Sequence, residues 1–181
     1  MQCVTEKLIE SGAVLVNPCS RLVGWITLWN FLDPFQGRLV TPGALIAEPG
    51  NCACVISLFF NMKSALEVSK HHFPTPFTRN NCRDAMRHSY FNALNTIDCG
   101  EDLAHAFGDA HEEGQIASNS VEMDIFNNEQ GRLVALIDLS MDDNMTEDYI
   151  CNWLASGNMQ ILEDPFNDGS MAIPSLECIC Q

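Results

Sequence analysis

A chain of 181 residues that is 46% hydrophobic is long enough to bury a core and too apolar for a disordered segment. Its 24 acidic against 9 basic residues give a formal charge of -15, which repels nucleic-acid backbones and anionic membrane surfaces and argues against a DNA or RNA binder. The longest apolar stretch, Leu22 to Leu32, is interrupted by Asn30 and is too short for the roughly 20 residues of a membrane span, so no transmembrane segment is expected.

The cysteines number nine, an odd count, and Cys52-x-Cys54 and Cys178-x-Cys180 lack the two-residue gap of a zinc hook. Free, buried thiols are therefore expected rather than a disulfide framework. The N-terminus has no charged region followed by an apolar one and a cleavage site. The expectation is a soluble protein, cytoplasmic or delivered by a route that needs no Sec signal peptide.

In chain order, Glu6 to Ser11 reads as a short helix, and Pro18-Cys19-Ser20 can open a second one that Asp33-Pro34 ends near Leu32. Residues 37 to 51 are rich in Gly and Pro and read as loop, whereas Cys52 to His72 is apolar enough for a buried helix closed by Pro74 and Pro76. Asn80 or Asn81 can cap a helix through about Ile97, stopped by Cys99-Gly100. Glu101 and Asp102 suit the first turn of the next, which ends near Gly114. Ser118 or Ser120 caps a helix reaching about Asp138, and Thr146 with Glu147 and Asp148 opens another ending at Ala155, before Gly157. Met159-Gln160-Ile161-Leu162 suits a short strand within an irregular tail. The fold class is mainly α: a single-domain helical bundle over 1-181, with residues 1-75 as an N-terminal helical scaffold, 80-160 as the core, and a tail that admits one short hairpin.

From Arg83 to Gly131 polar residues recur at helical spacing where a helix would bury Leu or Val, and burying them without partners costs several kcal/mol. Asp84, Arg87, His88, Asn92 and Asn95 follow steps of 3, 1, 4 and 3 and share one stripe. On the second helix Asp109 and Glu112 share a face, with His105 four residues before Asp109; His111 points elsewhere at about 100° per residue. On the third, Asp124, Asn127 and Asn128 share a face, and Gly131 suits a close helix crossing. Paired asparagines are poor helix formers that need a use for their amides, in ligation or in orienting a histidine.

Three pieces of this run, Asp84-Ala85-Met86-Arg87-His88 with Asn92-Ala93-Leu94, Phe107-Gly108-Asp109-Ala110-His111-Glu112, and Met123-Asp124 with Asn127-Asn128 and Gly131-Arg132, resemble a bacterial family. That family is a domain of unknown function that occurs alone and at the C-terminal ends of polymorphic-toxin and repeat proteins. The resemblance spans residues 80 to 160; Tyr90-Phe91 stand where the family has Trp, and Phe126 where it often has His. It implies a helical domain in a toxin or effector context, with a cognate immunity or carrier protein as partner.

The expected function is a hydrolase acting on a phosphate- or carboxylate-bearing substrate. His88, Asp109, His111 and Glu112 are the candidate catalytic residues, in acid and base roles, and Arg83, Arg87 and Asn92 the substrate-binding ones. His88, Asp109, His111, Asp124 and Asn128 are candidate ligands of zinc, magnesium, manganese or calcium, since His with carboxylates suits zinc while Asp with amides suits the harder ions. A nucleophilic Cys82 or Cys99 is a lesser option. The competing expectation is a non-catalytic acidic binding or neutralising protein whose polar residues form a buried network.

Overall fold

In the computed structural model, residues 52-112 and 116-181 are described, and those from Ser57 to Gln181 form one compact unit. The helices expected near Glu6 and before Leu32, the loop over 37-51 and most of the N-terminal scaffold lie outside the described residues. What is described is mainly helical, with one short hairpin, as the sequence predicts.

Helix α1 spans Cys52–His72, the bounds predicted from its apolar density. Helix α2 spans Cys82–Cys99; Asn81 caps it by accepting from the Arg83 and Asp84 N–H groups, and Gly100, at φ 84, takes the left-handed turn that ends it. Helix α3 follows at Glu101–Glu112. Helix α4, Asn119–Ala135, is capped by Ser118 and stops three residues short of the expected Asp138. The Asp138 carboxylate accepts from the Ser140 N–H at 2.9 Å and its hydroxyl at 2.6 Å, a local turn that competes with helix continuation. Helix α5, Asp143–Ala155, begins before the expected Thr146 because Asp142 takes the cap, accepting from Met145 N at 2.8 Å.

Strand β1, Gln160–Leu162, pairs antiparallel with β2, Ala172–Pro174, with Ile161 opposite Ile173. The hairpin docks through side-chain amides. Asn127 of α4 donates to Gln160 O and accepts from Gln160 N, both at 2.9 Å, as a neighbouring strand would. The core gathers Met86, Tyr90, Val134, Ile150, Leu154 and Met159, from α2, α4, α5 and the residue before β1.

The expectation of free thiols is overturned within the described residues. Cys82 bonds to Cys178, and Cys151 to Cys180, so Cys178-x-Cys180 staples the tail to the start of α2 and to α5. The spacing that argues against a zinc hook says nothing about partners 96 and 29 residues away, which the fold alone brings together. Cys82 is thereby unavailable as a nucleophile. Replacing Cys82 and Cys178 by Ser is expected to lower the unfolding free energy by about 2–4 kcal/mol, mainly by releasing the unfolded chain. Urea unfolding without reductant reads this, and an unchanged midpoint would contradict it.

Candidate functional site

Helices α2 and α4 cross where Gly131 meets Ser89. A Cβ on Gly131 would lie 2.0 Å from the Ser89 carbonyl oxygen, so the crossing admits no side chain there. This contact lays the α2 stripe (Asp84, Arg87, His88, Asn92) against the α4 stripe (Asp124, Asn128). Helix α3 closes in at Gly108, whose carbonyl accepts from Asn128 Nδ2 at 3.4 Å.

His88 lies at the centre. Its Nδ1 is 3.1 Å from Asn128 Oδ1, and its Nε2 is 3.4 Å from Asp84 Oδ1 and 3.5 Å from Asp124 Oδ1. Asn92 Nδ2 donates to Asn128 Oδ1 at 2.7 Å and to His88 O at 3.0 Å, while its Oδ1 accepts from Arg132 Nη1 at 3.4 Å. Asp84 also accepts from Arg87 Nη2 and from the Asn80 N–H, and Arg87 Nη1 reaches Thr78 O at 2.9 Å. Asp84, His88 and Asp124 are 2%, 6% and 4% exposed, which removes nearly all solvent screening from these charges.

Burial alone would lower the His88 pKa, but the carboxylates of Asp124 and Asp84 outweigh it and raise the pKa to about 9, against the opposing charge of Arg87. Both ring nitrogens face oxygen acceptors, which is the geometry of an imidazolium. Burial would raise Asp84, yet Arg87 and His88 hold its carboxyl at about 2. Asp124 is pushed up, first by burial, with the negative fields of Asp84 and Glu112 adding to it and His88 opposing.

A family model, the Domain of unknown function (DUF6973), matches residues 46–158, more than half of the chain. The chain belongs to this family. No curated protein and no solved structure matches it. The DUF6973 match takes in α2 to α5 and ends before the hairpin, so it covers Asp84, His88, Asp124 and the crossing glycine but not the stapled tail.

Within this DUF6973 chain the predicted residues separate. His88 and Asp124 meet, as their phases predict. Asn128 directs its oxygen at His88 and Asn92, and Asn92 spends both ends of its amide inside the network. Arg83 donates from Nη1 to Thr75 O at 2.7 Å, and Arg87 pairs with Asp84. Glu112 is buried and adds its field at Asp124. Asp109 and His111 lie in the last turn of α3, and their side chains are outside the described residues.

Two participants were given no catalytic, binding or ligand role from the sequence. Asp84 stood in the stripe without a ligand role, yet it faces Nε2. Asn80 was a candidate cap; instead, at φ 60, it links elements: its N–H goes to Asp84, its Nδ2 to Pro165 O and Asp168 Oδ1 at 3.0 Å each, and its Oδ1 accepts from Ser120 Oγ at 2.6 Å. The only signal was the Asn80-Asn81 pair, of which one serves as the cap.

Asp84, His88 and Asp124 each offer an atom within 4.8 Å of the others. Asp124 Oδ1 is buried and accepts no hydrogen bond, its ion-pair contact with His88 Nε2 standing at 3.5 Å, so it retains acceptor capacity for a further partner. Two carboxylate oxygens and an imidazole nitrogen suit zinc or manganese, with remaining positions for water, and Arg87, Asn80 and Asn128 orient the ligands from behind. These residues fit a divalent cation. Among the described residues no helix is long and apolar enough to cross a membrane.

Proposed function

We propose that the protein is an effector-type hydrolase centred on Asp84, His88 and Asp124, acting with a divalent cation on a phosphate- or carboxylate-bearing substrate. The observation that carries this reading is the convergence of the three donor atoms around a carboxylate oxygen left without a hydrogen bond. A bound cation would supply Lewis-acid stabilisation of developing negative charge. With a cation bound, His88 gives up its Nε2 proton, and Asn128, accepting from Nδ1, keeps the remaining proton there and leaves Nε2 directed at the two carboxylates. Arg87 holds Asp84 in place, and Glu112 maintains a negative field over Asp124 that favours cation capture. The toxin context of the resemblance and a cognate immunity or carrier protein belong to the same reading.

Metal analysis of the purified protein, with His88→Ala and Asp124→Ala beside it, tests the proposal. About one equivalent of metal is expected in the parent, with loss of metal and of toxicity on expression in both variants. Folded variants that keep metal and toxicity would sink it.

A second reading is favoured by the burial and near-complete pairing of the same groups: a non-catalytic acidic protein, with the network orienting the helices and the surface charge capturing a basic partner. Under that reading the parent holds no metal, and His88→Ala lowers stability while leaving partner capture intact.

A further inference from the structure

Away from this centre, the tail brings a second set of metal-ligating side chains together. The Cys151–Cys180 disulfide joins α5 to the tail, and one ring nitrogen of His72, at the end of α1, lies with both sulfurs inside a 4.8 Å group. His72 is buried, with Nε2 2.6 Å from Glu147 Oε1 and Nδ1 2.9 Å from the Gln181 carbonyl oxygen. Glu147 precedes Cys151 by four residues, so both approach His72 from one face of α5.

We propose that reduction of Cys151–Cys180 converts this staple into a zinc site, with the two thiolates and the His72 imidazole as ligands and Glu147 beside them at the fourth position. A dithiol reductant supplies two electrons and two protons to the disulfide and is itself oxidised to a cyclic disulfide. The two thiols then release their protons to solvent as the ion takes the thiolates.

The donor chemistry selects the ion. Two sulfurs, an imidazole and one carboxylate suit zinc in a tetrahedron and leave too few oxygens for magnesium or calcium. Zinc bond lengths put such ligand atoms roughly 3.5–3.8 Å apart, so the site forms by parting the sulfurs and a small inward shift of the His72, Cys151 and Cys180 atoms, already within 4.8 Å, with Glu147 swinging in from its place 2.6 Å from Nε2. With Nε2 on the ion beside Glu147, Nδ1 already faces the Gln181 oxygen that accepts its proton, the arrangement that orients a zinc-bound imidazole. The Cα atoms of Cys151 and Cys180, 5.8 Å apart, need not move far. The tail is thus pinned by a covalent bond in the oxidised protein and by zinc in the reduced one.

The test is a cobalt(II) titration of the full chain, reduced in the cuvette by a phosphine that takes up the oxygen of water as the disulfide gains two hydrogens. The reduced parent should show sulfur-to-cobalt charge transfer and tetrahedral visible bands saturating near one equivalent and displaced by zinc. The oxidised parent sets the background from other cysteines. Cys180→Ser should lose the bands, Cys82→Ser with Cys178→Ser should keep them, and His72→Gln should weaken binding at least about tenfold. His72→Gln retains the native staple until reduction, so it remains informative if Cys180→Ser does not fold. Absence of sulfur bands in the reduced parent, or bands unchanged in His72→Gln and in folded Cys180→Ser, would overturn the proposal. Cobalt at Asp84, His88 and Asp124 contacts no sulfur and gives no such band, so the outcome is independent of the hydrolase reading.

Discussion

Gly131→Ala is expected to cost about 3 kcal/mol or more, with a fall in melting temperature on the order of 10 °C. The added methyl would sit 2.0 Å from the Ser89 oxygen and 2.7 Å from its carbonyl carbon, both backbone atoms that no rotamer change can move aside. Relief requires α2 and α4 to separate, and that separation pulls His88 away from Asp124 and Asn128 as well as opening the core beside Tyr90 and Val134. Loss of stability and of metal binding should therefore appear together. Gly108→Ala provides the contrast: its Cβ would meet the Asn92 Oδ1 at 2.5 Å, a side-chain rather than a backbone atom, so relief costs the hydrogen bonds of one amide and not the helix crossing, a smaller loss. Urea unfolding of the two variants checks the ranking, and a Gly131→Ala protein as stable as the parent would show that the helices do not cross as closely as described.

Asp84→Ala should cost about 3–5 kcal/mol, because it leaves Arg87 and His88 as buried cations without their shared carboxylate and strips the Asn80 N–H of its acceptor. The same network predicts a pH profile. His88, raised from 6.5 to about 9, contributes stability that is full below about pH 6.5 and is lost as pH climbs through 9. Asp84, lowered from 3.8 to about 2, contributes stability present above pH 3.8 and lost as pH falls through 2. Asp124, raised, favours the folded state at low pH, a contribution lost as pH rises above 3.8 through its folded value. In chelator, the parent should lose on the order of 3 kcal/mol between pH 6 and pH 9.5 through His88. His88→Gln should flatten that slope, and a slope unchanged in the variant would place the titration elsewhere.

The helices were legible because each is bounded by local chemistry. Asn81, Ser118 and Gly100 act at their own positions, and no distant residue is needed to explain them. The ends that differ, at Ala135 and Asp143, turn on which of two nearby polar side chains wins a backbone group: Asp138 binds Ser140 rather than letting α4 continue, and Asp142 outcompetes Thr146 for the cap. For the site, steps of three and four along α2 and α4 were enough to set His88 and Asp124 on inward faces. Spacing along one helix says nothing about which atom of a neighbouring helix it meets, so Asp84 was placed in the stripe without its role beside Nε2. Asn80 was illegible for the same reason, since its contacts reach residues 40 to 88 positions away.

Composition, caps and periodicity established a helical, acidic domain with a polar seam, and these are properties that short stretches of chain carry independently of the rest. The close approach at Gly131 was readable as a gap in the side-chain pattern, but only the crossing identifies Ser89 as what fills it. Tertiary structure alone decided that Asp84, His88 and Asp124 share one buried point, and that the tail cysteines are spent in disulfides with α2 and α5. Both depend on chain segments far apart in sequence, and folding pays their closure entropy only because the core of α2, α4 and α5 repays it.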